Sequence, residues 1–399
     1  MAKRDPILIV GGGLGGLTTA LALARYGWPS RVLEGASQFG AIGYGIQFGP
    51  NVFHAFDRLG LSEKVLAIAD FPVALSMMDA LSAKELVRIP TGVSFRARFK
   101  YPYIVVHRID LHHILLDACR QNGAIELVSD AMVTGFEDRG DKVAVETKDG
   151  DAFSGAALVA ADGLSSWFRA RLIGDGDPRL SGYVAFRTIV PMVQVKSDLP
   201  RDNVTLWAGP GLHIVHYPLR HGTEFNIVAV FRTATHSERG DPTAYRAELE
   251  HTYRNVHFAA RSLIGMFDMR WRRAVSDRDP VRRWHRGRVV LLGDAAHGPL
   301  QSLAQGAGMA IEDGWCLGAM IAATDGNFTD AFRRFEAARL LRTARVQLES
   351  RAIWDFYHLD EGVARDVRNA TVADWDEAHV FDCLAWLYDG PAEPDAKGP

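Results

Sequence analysis

The sequence predicts an α/β chain in which a parallel sheet is interrupted by an antiparallel one and followed by helices, and three observations lead there. The apolar run Ile7-Leu8-Ile9-Val10 feeds into a glycine-rich turn, Gly11-Gly12-Gly13-Leu14-Gly15-Gly16, and then into a helical pattern. Two later apolar strands, at 156–161 and 288–292, also end beside an acid and a glycine, Asp162-Gly163 and Gly293-Asp294. Between them, at 182–275, the hydrophobic period becomes two, as in antiparallel strands.

Each part of the first unit has a physical task. In G-x-G-x-x-G, Gly11 permits the tight turn, Gly13 lets a pyrophosphate approach the backbone, and Gly16 lets the helix pack on the strand. The helix start at Leu14 and Gly15 turns free N–H groups and a positive dipole end toward the phosphates. The strand at 31–33 ends at Glu34, about 20 residues after the first glycine, where a carboxylate accepts from a ribose 2′-hydroxyl. Together these predict a Rossmann-like dinucleotide site.

A chain of 399 residues suggests two or three domains with room to enclose a cofactor. Lys plus Arg is 45 against Asp plus Glu 48, so the net charge of -3 gives no reason to invoke nucleic acid or an anionic membrane. The three cysteines, Cys119, Cys316 and Cys383, are too scattered for a disulfide framework or a metal cluster, and they read as buried, inert thiols. With no 18-residue apolar run and no signal-peptide pattern, the expectation is a soluble cytoplasmic protein without a bound metal.

Following the chain, the glycine-rich segment 40–50 suits backbone lying against a flat ligand, or an ordinary loop, and Asn51 reads as the cap of a helix at 52–59. Residues 71–106 read as short strands and turns. Arg108 sits just before the next helix, as a ligand contact or one half of a surface salt bridge, and the adjacent His112 and His113 read as structural. A hairpin-like pair follows at 132–136 and 142–147, with Asp149-Gly150 as a turn. Asp162 is then either a helix cap or a site residue.

In the strand at 212–217 alternation places His213, Val215 and Tyr217 on one face and His216 on the other. His213 and Tyr217 are a pocket wall or satisfied core residues. After Asp294, Gln301 and the small residues Gly306-Ala307-Gly308 lead into a helix at 309–322, a second helix start offered to a ligand. The rest reads as helices to about 386, with a frayed end at 390–399.

Taken in order, Gly11 to Gly16 with Glu34, then Asp162-Gly163, then Gly293-Asp294-Ala295-Ala296-His297 resemble the class A flavin monooxygenases that hydroxylate aromatic acids. The resemblance implies tightly bound FAD, held by Gly11, Gly13, Leu14, Gly15, Gly16, Glu34, Arg108, Asp162, Asp294, Gly306 and Ala307. It also implies NADH or NADPH as a visiting co-substrate, O2, a small aromatic acid and a homodimer. The implied division is an FAD-binding domain at 1–75, 97–181 and 277–330, a substrate-binding domain at 76–96 and 182–276, and a helical segment at 331–399.

Within the family, Leu206-Trp207-Ala208-Gly209-Pro210, His216-Tyr217-Pro218-Leu219-Arg220 and Leu303-Ala304-Gln305-Gly306 most resemble the 3-hydroxybenzoate 6-monooxygenases. That likeness makes His213 and Tyr217 catalytic, and His213, Tyr217 and Gln301 the groups on the substrate. Departures from the family pattern stand at Gly35, Gly298, Ser302 and Gly308, affecting FAD binding and pocket size. Alternative substrates are salicylate and 6-hydroxynicotinate. Alternatives of another class are a flavin oxidase or dehydrogenase, reduced by substrate without NADH, and a non-catalytic FAD or aromatic-ligand binder.

Overall fold

The computed structural model describes residues 4–40, 43–236, 240–269 and 271–391. Its first layer is a six-stranded sheet in the order His285–Arg286, Val289–Leu291, Leu158–Ala160, Ile7–Val10, Ser30–Leu33, Ile125–Val128, parallel except at the first pair. Ile7, Leu8 and Ile9 are fully buried at its centre, as a β-branched run covered on both faces should be. The helix Leu14–Arg25 packs on one side through Leu17, Ala20 and Leu23, also fully buried.

The second layer is a seven-stranded sheet in the order Arg272–Asp277, Arg179–Pro191, Glu224–Arg232, Leu212–Leu219, Val204–Gly209, Ala74–Asp79, Glu85–Pro90. The expected antiparallel sheet is therefore mixed, because Ala74–Asp79 lies parallel to Val204–Gly209. Long-range pairing of this kind leaves no mark on either strand's own periodicity. One face of this sheet packs Phe186, Ile214, Ile227 and Phe231 beneath the helix Pro242–Thr252, whose Tyr245 and Leu249 join that core. The other face looks toward the first layer.

Local corrections follow from tertiary context. The segment read as strands and turns contains a helix, Val93–Phe99, whose Phe95 and Phe99 pack on Phe381 and Tyr388. Four residues of the glycine-rich loop form a strand, Gly45–Phe48, paired with Ile104–His107, while positions 41 and 42 lie outside the described residues. Asn51 caps no helix: it lies inside the 3-10 turn Pro50–Val52, and its amide donates to Glu312 and Gln305 instead. Arg108 is the first residue of the helix Arg108–Arg120 rather than the one before it. Cys119 and Cys316 are buried, but Cys383 is exposed on the last helix, Glu377–Tyr388. The frayed end read at 390–399 lies beyond residue 391 outside the described residues.

The long helix Phe328–Tyr357 joins both layers through buried charge. Arg339 donates to Asp313 at 2.7 Å and to Glu312 at 2.7 Å, and Arg342 reaches Glu312 at 2.9 Å. Both carboxylates belong to the helix Gly306–Ala323. Burial alone would raise Asp313, but His297 and Arg339 outweigh it and hold its carboxyl at about 2. Removing one partner of such a network strands a buried charge. Arg339→Met is expected to destabilise the fold by about 3–5 kcal/mol in urea unfolding, and a loss below about 1 kcal/mol would refute this account.

Candidate active site

The glycine-rich turn is built for close approach. Gly11 has φ +108°, and a Cβ there would stand 2.4 Å from the Ala161 carbonyl oxygen. At Gly16 a Cβ would stand 2.0 Å from the Gly11 carbonyl oxygen, so strand and helix touch through backbone. Gly13 is the opposite case: a Cβ there meets nothing within 4 Å, leaving open space where a pyrophosphate would lie. Leu14 and Gly15 are buried behind it. Glu34 anchors the turn by accepting from the Gly12 N–H at 2.8 Å and the Ala36 N–H at 2.9 Å. The buried His112 ring contacts the Gly12 carbonyl at 2.8 Å, while His113 is exposed.

Asp294 and Arg108 extend this site into a cleft. The Asp294 side chain is open to solvent, yet protein surrounds it closely enough that desolvation raises its carboxyl above the usual range. That combination describes a group on a cleft floor. A Cβ at Gly306 would stand 3.5 Å from Asp294 Oδ1, which places the start of the helix Gly306–Ala323, with Ala307, beside it. Arg108 has no ion pair with a carboxylate among the described residues; its charge acts on Asp294, and its N–H donates to the Tyr44 carbonyl at 2.9 Å. Asp162 is not the cap of the helix Trp167–Leu172, which is Ser166; it braces that helix start by accepting from Ser166 Oγ at 2.6 Å and the Phe168 N–H at 3.2 Å.

The departing positions fit locally. Gly35 rests against Met132 and Gly298 against Leu164, and Gly308 packs closely on Gln305, where a Cβ would stand 3.3 Å from its amide oxygen. Ser302 donates to the Ser350 carbonyl at 2.6 Å, tying the pocket turn to the long helix.

The opposite wall is the inner face of the seven-stranded sheet. Cross-strand register sets three rows on it: Ala185, Val230, His213; Arg187, Val228, Val215; Ile189, Asn226, Tyr217. Paired residues share a face, so Arg187 projects on the same side as His213 and Tyr217, in the row between them. Asn226 accepts from the Gly45 N–H at 2.9 Å, and a Cβ at Gly45 would stand 2.4 Å from the Tyr217 ring, so the segment after 43 lies against this row. Gln301 joins through its amide oxygen, which accepts from Arg187.

His213 is not alone. Its Nδ1 meets His358 Nε2 at 2.7 Å, and His358 stacks between His213 and Tyr183. Burial lowers His213 to about 3 and His358 to about 2, so both rings are neutral at pH 7. Burial raises the Tyr217 phenol well above its ordinary value, keeping it protonated. His216, on the far face, accepts from Trp207 Nε1 at 2.9 Å and is a core residue. Arg187 and His358 were missed from sequence. An arginine in an inward position between Ala185 and Ile189 was the available signal for the first, whereas nothing local marks His358.

The FAD binding domain family matches residues 4–330. The chain belongs to this FAD-binding family. It is 40% identical to a 3-hydroxybenzoate 6-hydroxylase of Polaromonas naphthalenivorans, over 96% of this chain and 95% of that protein. It is 41% identical to 3-hydroxybenzoate 6-hydroxylase 1 of Aquipseudomonas alcaligenes, over 96% and 98%. Among solved structures, Klebsiella pneumoniae HpxO complexed with FAD and uric acid superposes with TM-score 0.85 at 26% identity, covering 96% of this chain and 97% of that one. A salicylate hydroxylase substrate complex shares the fold at TM-score 0.81 and 21% identity, covering 100% and 99%. For this FAD-binding protein the open space at Gly13 and the solvent-facing Asp294, whose carboxylate has no hydrogen-bond partner among the described residues, fit the pyrophosphate and a sugar-alcohol chain.

Two outcomes follow for the family's cofactor and for the buried rings. Gly13→Val is expected to fold with its wild-type circular dichroism but to purify without FAD, whereas Gly16→Val fails to fold; yellow Gly13→Val protein would contradict the cradle. Unfolded histidines protonate near 6.5, and His213 and His216 resist to about 3. The unfolded state therefore binds more protons between those values, and stability present above pH 6.5 is lost as pH falls, at up to about 1.4 kcal/mol per pH unit for each ring. The urea midpoint is expected to drop from pH 7 to pH 5, less steeply in His216→Gln, and a flat wild-type profile would count against it.

Proposed function

We propose that this FAD-dependent monooxygenase uses NAD(P)H and O2 to hydroxylate 3-hydroxybenzoate para to its hydroxyl, giving gentisate (2,5-dihydroxybenzoate). The observation that supports it best is one sheet face bearing His213 and Tyr217, met by Gln301, opposite the cleft floor at Asp294 and Gly306. The relatives named 3-hydroxybenzoate 6-hydroxylase, at about two residues in five identical, point the same way. In this reading 1–75, 97–181 and 277–330 hold FAD, 76–96 and 182–276 hold substrate, and 331–399 supports both. The protein works as a cytoplasmic homodimer, checked by light scattering.

Bound FAD supplies hydride acceptance from NAD(P)H and delivery of one oxygen atom of O2 to the ring as an electrophile. The protein's part is to raise electron density at the carbon that is attacked. Position 6 is para to the hydroxyl, so polarising the phenol proton enriches it. His213 has its Nδ1 engaged by His358, so Nε2 is its contact for that proton. Burial makes His213 a weak base; an anionic substrate beside it offsets desolvation and raises its proton affinity. Tyr217, held protonated, donates to the other end of the ligand, roughly 13 Å along the strand, and Gln301 orients the ring. Glu34 keeps the dinucleotide turn in shape through its contact with the Gly12 N–H, and Asp162 does the same for the turn at 163–168 through the Phe168 N–H.

Purified protein mixed with NADH, O2 and 3-hydroxybenzoate is expected to form gentisate nearly one-for-one with NADH consumed. Salicylate or 6-hydroxynicotinate giving the coupled product instead would replace the substrate, and loss of NADH to peroxide alone would make 3-hydroxybenzoate an effector. His213→Gln should lower kcat on the order of 100-fold with FAD retained.

A further inference from the structure

Arg187 is a cation on the sheet wall whose needs the described residues leave unmet. Its guanidinium donates to the neutral amide oxygen of Gln301 at 2.5 Å, and its charged end lies 5.9 Å from the Tyr44 ring. Among the described residues no carboxylate pairs with it. Tyr217 and Arg108 are the charged or titratable neighbours that act on it, together with Tyr44. Surrounding protein strips enough water from it to lower its pKa, an unusual state for a group that normally stays charged. A desolvated cation beside a second cation is unfavourable until an anion arrives.

Its place in the sheet narrows which anion. Arg187 stands two strands from Val215, roughly 10 Å across the sheet, in the row between His213 and Tyr217. It belongs to the wall opposite the glycine-rich turn, while Arg108 begins the helix beside that turn and acts on Asp294. The remaining polar groups of the wall, His213, Tyr217, Gln301 and Asn226, are neutral. An aromatic acid brings a carboxylate that none of them can neutralise.

We propose that Arg187, steadied by Gln301 and Tyr44, receives the carboxylate of the aromatic acid substrate. The assignment rests on the aromatic-acid reading above and adds the residue that makes the acid group obligatory. A guanidinium fork fixes a carboxylate in its own plane. With the phenol oxygen held at His213, the ring is pinned at two meta substituents and cannot turn about its axis. Regiochemistry then follows from two anchors rather than from pocket shape.

The test compares each acid with its neutral amide. Oxidised holoenzyme is titrated with 3-hydroxybenzoate and 3-hydroxybenzamide, with salicylate and salicylamide, and with 6-hydroxynicotinate and its amide, following the flavin absorbance change. Wild type is expected to prefer the acid of the preferred pair by about 10- to 100-fold in Kd. Arg187→Gln should weaken the acid by that factor and leave the amide within about threefold, while Arg187→Lys falls between. If the discrimination appears with salicylate rather than 3-hydroxybenzoate, the substrate reading falls and the Arg187 assignment stands. An acid-to-amide ratio unchanged in FAD-loaded Arg187→Gln overturns the assignment, as does a wild type that binds none of the acids.

Discussion

Two adjacent buried carboxylates, Glu312 and Asp313, are the constraint around which the molecule is arranged. Neither could stay ionised in the interior without Arg339, which divides its fork between them, and Glu312 needs Arg342 as well. The same carboxylates take in the surroundings. Asp313 holds the His297 ring at 2.6 Å and accepts from the Gly293 N–H at 3.1 Å, while Glu312 accepts from Asn51 at 2.7 Å. The strand end carrying Asp294, the turn carrying Asn51 and the long helix ending beside His358 are thus referenced to one point. Cleft floor and cleft wall keep their separation because they share this ionic anchor.

How much of this could be read from sequence follows the range of the interactions. The strand, glycine turn, helix and Glu34 formed a local unit, and local steric rules explain it. The switch to period two was legible for the same reason, and alternation correctly divided His213 and Tyr217 from His216. What failed was pairing. The periodicity of 74–90 does not show that those strands join the later sheet, a grouping that only the family resemblance implied for 76–96, and the helix at 93–99 is explained by aromatic partners nearly 290 positions away in the chain. Asn51 had the composition of a cap, but a buried carboxylate competed for its amide and won.

The site was legible in its cofactor half and partial in its substrate half. A dinucleotide turn needs glycines in fixed places because backbone is what it presents, so sequence spacing reports geometry directly. A substrate wall is assembled from side chains on several strands and one helix end. His358 meets His213 across 145 positions, and Arg187 meets Gln301 across 114. Such partners are set by strand register and helix docking, which have no local signature.

The order of the parallel sheet bears on how the protein is made. Ile7–Val10 lies between Ser30–Leu33 and Leu158–Ala160, and the latter is flanked by Val289–Leu291. Sheet neighbours so distant in the chain make a high contact order and slow, late closure. A nascent chain emerging from the ribosome therefore carries its phosphate-binding turn, Gly11 to Gly16, long before the strand that ends at Asp294. It lacks the floor of the same site until Asp294 has been added. Flavin loading becomes a late event of biosynthesis, and termination before Asp294 yields a chain with the fingerprint of a flavoprotein and no means of keeping the flavin.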